Sequence, residues 1–324
     1  MCLILISYRQ NADFPLIVAA NRDEFYARPT AALDWWADAP QILGGADISR
    51  STPVRAQTDI VSGTNRGHPG PLVHAQTDVV SGANLGHPSP LVHAQTDIVS
   101  GANPEPPGPW GGWLAVNRQG RFAAVTNFRE PGKDSKSAKS RGLIVRRFLY
   151  DRVTMPDFIH ELTQTAREYN GYNLLFGSAS ELWHFNNRSG EPPAQVQPGL
   201  HVLSNATLNS PWPKALLAKQ LYAQQTGNPP SPQDIFAMLA DSTQADQKTV
   251  QRTGLPLKYE IALSSIFIAL KIRRGFFRRK VGYGTRASSY VTFSHSGDIN
   301  FNERTYAEGK PAGDRRVLFK AEAL

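Results

Sequence analysis

Short apolar segments separated by polar turns occupy both ends of the chain, and segments with apolar residues at every third or fourth position lie between them. The first pattern is typical of strands and the second of amphipathic helices. The pattern predicts strands at residues 3–7, 16–20, 113–117, 122–126, 173–176, 181–185, 201–203, 265–270, 289–293, 299–304 and 316–319.

The helical spacing predicts four helices, at residues 142–152, 156–169, 211–221 and 232–241. Thr154 and Ser210 are suited to cap the second and third of these, because each precedes a proline that fits a first helical turn. A hairpin turn is expected at 117–120, with Gly120 at positive φ. Strands, then helices, then strands again predict an α+β fold, in which two packed sheets are flanked by helices.

The first half of the chain contains a tandem repeat. Residues 55–59 recur at 74–78 and at 93–97, a spacing of 19 residues, in units rich in Gly, Pro, Ser and Thr. Each unit has too few apolar residues to offset the entropy cost of ordering it. We therefore expect one domain over residues 1–324, interrupted by a disordered low-complexity insert at about residues 50–109. Its histidines have no cysteine partner and no helical spacing, so we expect no metal site there.

The net charge of +8 is concentrated in one stretch. Six cations without an intervening acid account for most of it, namely Lys271, Arg273, Arg274, Arg278, Arg279 and Lys280. Such a run is either a solvated loop or a contact for phosphates or an anionic surface, and we expect the loop. Nucleic acid is therefore not an expected partner. One cysteine, no signal peptide and no segment long enough to span a bilayer predict a cytoplasmic protein.

The chain's one cysteine, Cys2, directly follows Met1. Removal of Met1 would leave one residue carrying both a thiol nucleophile and an α-amine that is partly neutral at physiological pH. The alternative is structural, because Cys2 opens an apolar run and free cysteine is often a small buried hydrophobe. Motifs for nucleotide phosphates, zinc and serine hydrolases are absent from the sequence.

Polar groups at strand ends supply partners for such a thiol. Asn205 can donate to an oxyanion, Arg22 or Arg286 can lower the thiol pKa, and Asp23 can accept from an α-ammonium group. Arg22, Asp23 and Asn205 also have possible roles that are not catalytic. Arg22 and Asp23 can form surface ion pairs, and Asn205 can close a turn.

Motifs along most of the chain outside the insert resemble the NRDE family, also called the transport and Golgi organisation protein 2 family. They include residues 1–4, 19–29, 43–45, 113–117, 124–129, 203–207, 211–214, 263–267 and 283–286. The resemblance implies a four-layer αββα sandwich of the N-terminal nucleophile (Ntn) hydrolase type, closest to cysteine enzymes such as bile-salt hydrolases and penicillin V acylases. It implies cleavage of a linear, non-peptide amide, with catalytic residues at the matching positions Cys2, Arg22, Asp23, Asn205 and Arg286.

The same resemblance supports a second function. Eukaryotic relatives are linked to secretory-pathway organisation, lipid metabolism and haem trafficking, which implies a non-catalytic carrier of haem, acyl-CoA or lipid. Both functions predict a small apolar or acyl ligand and no resident cofactor, with haem entering only as cargo. The chain departs from the family pattern in the insert after Asp47 and in the basic segment 269–282. It also lacks the Thr that the family has between the paired glycines and the Trp, so that Gly112 is followed directly by Trp113. The basic segment can displace Arg286.

Overall fold

A computed structural model describes residues 2–48, 110–150, 152–274 and 279–322. Its strands are β1 (Cys2–Tyr8), β2 (Leu16–Phe25), β3 (Thr30–Trp36), β4 (Ala39–Ile48), β5 (Trp110–Asn117), β6 (Phe122–Asn127), β7 (Tyr172–Gly177), β8 (Leu182–Asn186), β9 (Ala194–Gln195), β10 (Gly199–Leu203), β11 (Ala269–Arg274), β12 (Arg279–Phe293), β13 (Asp298–Ala307) and β14 (Lys310–Lys320). Its helices are α1 (Gly142–Tyr150), α2 (Met155–Thr165), α3 (Pro213–Ala223), α4 (Pro232–Leu239) and α5 (Leu257–Ala262).

The strands form two antiparallel sheets. The first sheet has the order β10-β1-β2-β12-β13-β14, with β11 paired to β12, and the second has the order β3-β4-β5-β6-β7-β8-β9. Strands β1 and β2 are therefore interior strands of the first sheet. Residues on interior strands have neighbours on both sides, so side chains there are held in fixed positions.

Alternation of side chains along the strands produces four layers. Ile4 of β1 and Leu114 of β5 belong to the apolar core between the two sheets. Leu3, beside Ile4, faces the other way and packs with Ala215 and Ala218 of α3. In the second sheet, Ala115, beside Leu114, lies in the core that includes buried residues of α1 and α2. Because successive side chains point to opposite faces of a sheet, this arrangement confirms the expected αββα sandwich.

The predicted helix starts agree with the structure at α2 but not at α3. Thr154 caps α2 by accepting from the Asp157 N–H, and a proline stands in the first turn. Ser210 does not cap α3, which begins at Pro213 with Trp212 at the cap position. The reason is that a residue before proline is held extended, and Trp212 has ψ 144°. Gly120 has the expected positive φ, 76°.

The predicted strand at 265–270 is wrong over its first four residues, because β11 begins only at Ala269. The backbone N–H of Phe267 donates to the Asp241 carbonyl, and that of Ile268 donates to the Thr285 hydroxyl. These bonds to other segments replace strand pairing. The expected solvated loop in the basic stretch is also corrected, since the backbone at Arg273 pairs with that at Lys280 in the β11–β12 hairpin.

Strands β3, β4 and β9 and helix α5 had no counterpart in the prediction. The predicted insert at about residues 50–109, with its histidines, lies outside the described residues, which all belong to one compact unit. Division into one domain over 1–324 stays a prediction. Within the described ranges, no helix is long and apolar enough to cross a membrane, and no cluster of His, Cys, Asp and Glu could hold a metal ion.

Candidate functional site

Cys2 lies at the start of β1, opposite Arg22 of β2 in the antiparallel register. Its side chain is 8% exposed and belongs to the apolar core between the sheets. The sulfur is not surrounded by hydrocarbon alone, because the backbone N–H of Asp23 donates to it. The polar end of β2 therefore meets the thiol where the apolar core ends.

Burial raises the pKa of the Cys2 thiol, and the charge of Asp23 adds to the increase. The charge of the chain's amino terminus, the hydrogen bond from the Asp23 N–H and the charge of Arg22 act in the opposite direction and are outweighed. Arg22 therefore acts on this pKa in the expected direction, but burial outweighs it. The resting thiol is neutral at physiological pH, so a proton acceptor is needed before it can act as a nucleophile.

Arg22 and Asp23 are both buried, at 5% and 3% exposure, and neither forms an ordinary surface ion pair. The Arg22 guanidinium pairs closely with Asp47 at the end of β4, while its Nη1 is buried without a hydrogen-bond partner among the described residues. The Asp23 Oδ1 accepts from the Thr285 hydroxyl at 2.8 Å. Burial raises the pKa of Asp23, and the charges of the chain's amino terminus and of Lys214 oppose that increase.

The segment after β10 is held beside Cys2 by bonds to both sheets. Ser204 Oγ donates to the Cys2 carbonyl at 3.0 Å. Thr126 of β6 donates to the Ser204 carbonyl at 2.6 Å, and the Asn205 side-chain amide donates to the Asn127 carbonyl at 2.8 Å. Asn205 is 1% exposed. It follows Ser204 directly in the chain, and part of the donor capacity of its amide supports the loop.

Arg286 is placed differently from the other candidates. It lies at a bulge in β12, between Thr285 and Ala287. Its guanidinium donates to the carbonyls of Phe25, Tyr26 and Arg28 and to the Thr30 hydroxyl, and burial lowers its pKa. These bonds hold the turn between β2 and β3. The structure thus brings Cys2, Arg22, Asp23 and Asn205 together and places Arg286 at the adjoining turn.

A cavity of about 300 Å³ adjoins the turn that Arg286 holds. Arg22, Arg286, Trp113 and Glu303 line it, together with several alanines. Glu303 is 2% exposed, and burial raises its pKa to about 7. The cavity can therefore offer two guanidinium groups and a carboxyl that is partly protonated at neutral pH. Its volume is at the lower end of the range for small-molecule sites.

Lys214 is a residue of this region that the sequence analysis did not assign. It is 1% exposed in the first turn of α3, and its charge interacts with those of Asp23 and Cys2. Burial lowers its pKa to about 8. A signal was present in the sequence, because Lys214 shares a helix face with Leu217, Ala218 and Leu221 by the three-to-four spacing. A lysine on the apolar face of a helix is directed toward the core.

Comparison with known proteins gives one family match and several full-length relatives. The family model for Transport and Golgi organisation 2 matches residues 1–54 and 87–308. The Transport and Golgi organization protein 2 homolog of Bos taurus is 25% identical over 328 residues, covering 96% of this chain and 95% of its own. The homolog of Homo sapiens is 26% identical over 320 residues, covering 94% and 93%.

Among solved structures, a mutant of the conjugated bile acid hydrolase from Clostridium perfringens is similar to this chain with a TM-score of 0.37 and 10% identity. That match covers 99% of this chain and 97% of the hydrolase.

Proposed function

This chain belongs to the Transport and Golgi organisation 2 family, and we propose that it is a hydrolase that cleaves a linear, non-peptide amide bond with Cys2 as nucleophile. The observation that carries the proposal is the convergence of a lone thiol with polar groups from separate strand ends. The Asp23 N–H donates to the Cys2 sulfur, Ser204 donates to the Cys2 carbonyl, and Arg22 lies opposite Cys2 in the sheet. Such preorganised groups are what nucleophilic catalysis requires.

The proposed reaction has two halves. The Cys2 thiol gives up its proton, and the thiolate forms a C–S bond with the amide carbon. The negative charge on the carbonyl oxygen is stabilised by donors such as the Asn205 amide. The C–N bond then breaks as the leaving nitrogen takes a proton, which leaves a thioester. Water attacks the thioester, the C–S bond breaks, and the acid product leaves as sulfur regains a proton.

The proton acceptor is the critical group, because burial keeps the resting thiol neutral. Removal of Met1 would provide an α-amine on the same residue as the thiol, with an ordinary pKa near 8. The carboxylate of Asp23 would attract the ammonium form of that amine, because its charge already interacts with that of the chain's amino terminus.

The cavity beside Arg22 supports a small acyl or amide substrate with a polar acceptor group. Arg22 Nη1 is buried without a hydrogen-bond partner among the described residues, and Arg22 lines the cavity. A carbonyl or carboxylate oxygen in the cavity would supply that partner. The lining alanines and Trp113 would contact an apolar portion.

Cys2→Ala is the direct test. Purified protein is first weighed to determine whether Met1 is removed, and then assayed for amine release from a panel of N-acyl amino acids. Wild type is expected to turn over at least one substrate, and Cys2→Ala is expected to lose that turnover by a factor of about 1000 or more, as for other essential nucleophiles.

A matched control keeps the comparison specific. Ser178→Ala removes a hydroxyl from a partly exposed turn far along the chain and should leave turnover unchanged. Equal turnover by Cys2→Ala and wild type would contradict the proposal, and so would the lack of any turnover by protein with Met1 removed.

The burial of Cys2 favours a second candidate, a carrier of an apolar ligand such as haem, acyl-CoA or lipid. A thiol that is neutral and mostly covered by the inter-sheet core can serve as part of an apolar wall. This candidate predicts that Cys2→Ala leaves ligand affinity unchanged, measured by titration of haem and of an acyl-CoA into purified protein.

A further inference from the structure

Three polar side chains with unpartnered atoms line the cavity beside Arg22. Glu303, Trp113 and Arg22 are 2%, 6% and 5% exposed. Arg22 Nη1, Trp113 Nε1 and Glu303 Oε2 form no hydrogen bond with the described residues. A methyl group on Gly45 would lie 3.2 Å from Glu303 Oε2 and 3.8 Å from Trp113 Nε1, so glycine leaves the space between them open. Because buried polar groups are normally hydrogen-bonded, the three together indicate a polar ligand.

These groups suit a ligand that accepts hydrogen bonds. Arg22 Nη1 and Trp113 Nε1 can only donate. Glu303 Oε1 already accepts from the Leu33 N–H at 2.6 Å, so a proton on this carboxyl would lie on Oε2, toward Gly45. A carboxylate has two acceptor oxygens and can accept from all three groups. A neutral amide has one such oxygen and would leave buried donors without partners, which is unfavourable.

The charges around the cavity also favour an anion. Of its two guanidinium groups, that of Arg22 pairs with Asp47, whereas that of Arg286 is bonded to carbonyl and hydroxyl oxygens. Glu303 is the one carboxyl group among the described lining residues. When Glu303 is neutral, the positive charge of Arg286 is not offset within the cavity, so an anion is attracted. When Glu303 is ionised, it offsets that charge and repels an anion.

The surroundings of Glu303 set the pH at which it ionises. Burial raises the pKa of Glu303 to about 7, against the hydrogen bond from Leu33 and the charges of Arg22 and Arg315. The charged groups on the strands around Glu303 are Arg22 and Glu24 of β2, Asp34 of β3, Asp47 of β4, Arg286 of β12 and Arg315 of β14. Asp47 pairs with Arg22, and Asp34 pairs with Arg315 at 2.7 Å. Glu303 is therefore neutral in a large fraction of molecules near pH 7.

The cavity lies beside the proposed nucleophile. Arg22 is opposite Cys2 in the β1–β2 register, and opposite residues share a face of a sheet. Cys2 and Trp113 belong to the same apolar cluster between the sheets. Cys2 is not among the described lining residues, so a ligand group in the cavity would lie next to the thiol and leave the thiol itself uncovered for reaction.

We propose that Glu303, Trp113 and Arg22 bind the carboxylate of the substrate, with Glu303 entering the complex as the neutral acid. The Oε2–H of Glu303 donates to the carboxylate, and Arg22 Nη1 and Trp113 Nε1 donate to the same group. The substrates are then amides with a carboxylate close to the scissile bond. Binding takes up a proton from solvent wherever Glu303 is ionised in the free protein. This inference rests on the proposed function, since it names the substrate class of the same site.

N-acetylglycine and N-acetylglycinamide test the proposal, because they differ only in the carboxylate. Their binding is measured by isothermal titration calorimetry on the Cys2→Ala variant, which lacks the proposed nucleophile. N-acetylglycine should bind about tenfold or more tightly than N-acetylglycinamide at pH 6. Its affinity should be about tenfold weaker at pH 8 than at pH 6, because the neutral fraction of an acid with a pKa of about 7 falls by that factor.

Glu303→Gln, made in the same background, tests the role of the proton. Gln keeps an acceptor for the Leu33 N–H and donates from Nε2 at every pH. This variant should bind N-acetylglycine equally at pH 6 and pH 8, whereas exposed Glu191→Gln should keep the original pH dependence. Gly45→Ala should weaken binding at both pH values, because its methyl group fills the space beside Oε2. Gly45→Ala and the comparison of the two probes remain decisive if Glu303→Gln does not fold.

Alkylation tests whether the site adjoins the thiol. Cys2 is the one cysteine of the chain, so the uptake of iodoacetamide by wild type, measured by intact mass, reports on that thiol alone. Saturating N-acetylglycine should slow this alkylation, and N-acetylglycinamide at the same concentration should not.

Three results would overturn the inference: equal affinity for the two probes, a pH dependence that persists in Glu303→Gln, or an alkylation rate that bound N-acetylglycine leaves unchanged. Failure of the proposed function looks different. A chain that binds N-acetylglycine as expected but releases no amine from any N-acyl substrate loses the hydrolase and keeps the carboxylate site. Equal turnover of N-acyl amides with and without a carboxylate keeps the hydrolase and overturns the carboxylate site.

Discussion

At the scale of single residues, the site contains several ionisable side chains that burial moves away from their usual protonation states. Burial raises the pKa values of Cys2 and Asp23 and lowers that of Lys214. Each of these changes favours the neutral form. Perturbed groups gathered in this way are typical of functional sites.

Glu303 is a further buried side chain with a shifted pKa, and it lies where the two sheets meet. It lies on β13 and accepts from the Leu33 N–H of β3 at 2.6 Å. Burial raises its pKa to about 7 from an ordinary value of 4.5, so the folded state binds its proton more tightly than the unfolded state does. The stabilising effect of that proton is complete below about pH 4.5 and is lost as the pH rises through about 7.

Glu303→Gln should therefore change how stability depends on pH. Gln keeps an oxygen that can accept from Leu33 but cannot ionise, so the variant should be more stable than wild type at pH 8, by on the order of 3 kcal/mol at most. At pH 5 the two should nearly coincide. Urea unfolding at both pH values measures this, with exposed Glu191→Gln as the control. A Glu303→Gln variant that keeps the wild-type pH dependence would contradict the assignment.

At the scale of elements, strand β2 organises the site because it continues past its apolar part. The pattern predicted a strand at 16–20, and β2 extends to Phe25 through Asn21, Arg22 and Asp23. The Asn21 amide donates to the carbonyls of Leu239 and Ile266, and its oxygen accepts from the Ser288 hydroxyl. Asn21 thus ties β2 to the end of α4, to the segment before β11 and to β12.

Asn21→Ala should be strongly destabilising for that reason. It leaves two buried carbonyls and a buried hydroxyl without their Asn21 contacts, and each such loss costs about 1–3 kcal/mol before relaxation. We expect the free energy of unfolding to fall by about 2–4 kcal/mol in urea titration. Gln220→Ala, an amide lost from the exposed face of α3, should change it by less than about 0.5 kcal/mol. A similar small change for Asn21→Ala would refute the anchoring role.

Sequence patterns could identify the apolar strands and the four longer helices because those depend on local periodicity. They could not show that Asn21–Asp23 continue a strand, since the bonds that make polar residues tolerable inside the sheet come from partners more than 200 residues away. Arg286 illustrates the same limit. Its type and position suggested a catalytic cation, but the carbonyls to which it donates lie in the turn after β2. Lys214 was visible by spacing, but its isolation from hydrogen-bond partners was not.

At the scale of the whole molecule, the candidate site draws on several layers of the sandwich. Cys2 and Asp23 come from the first sheet, and Lys214 comes from the helix layer above it. The second sheet contributes Thr126 and Asn127, which hold the Ser204–Asn205 segment. Asp47, at the end of β4, pairs with Arg22. The site therefore depends on the packing of the two sheets. The end of β4, next to Asp47, pairs with the start of β5.

Those strand ends make a test of the long segment between them possible. The backbone at Ile48 of β4 pairs with that at Trp110 of β5. Paired residues of antiparallel strands have Cα atoms about 4.5–5.5 Å apart, so a two-residue Asn-Gly turn can join them. If residues 49–109 only connect the strands, their replacement by Asn-Gly should stabilise the protein by on the order of 2 kcal/mol, from the lower entropy cost of closing a shorter loop.

The shortened chain should also keep the alkylation rate of Cys2, because Cys2, Asp23 and Ser204 are held by bonds among residues outside the replaced segment. Removal of one repeat unit alone, residues 55–73, should change stability by less than about 0.5 kcal/mol on the same loop-closure argument. The family match leaves out residues 55–86 but includes 49–54 and 87–109, so it agrees with a dispensable connection at 55–86 alone. A shortened chain that unfolds, or whose Cys2 reacts at a different rate, would show instead that residues 49–109 contribute contacts to the fold or to the site.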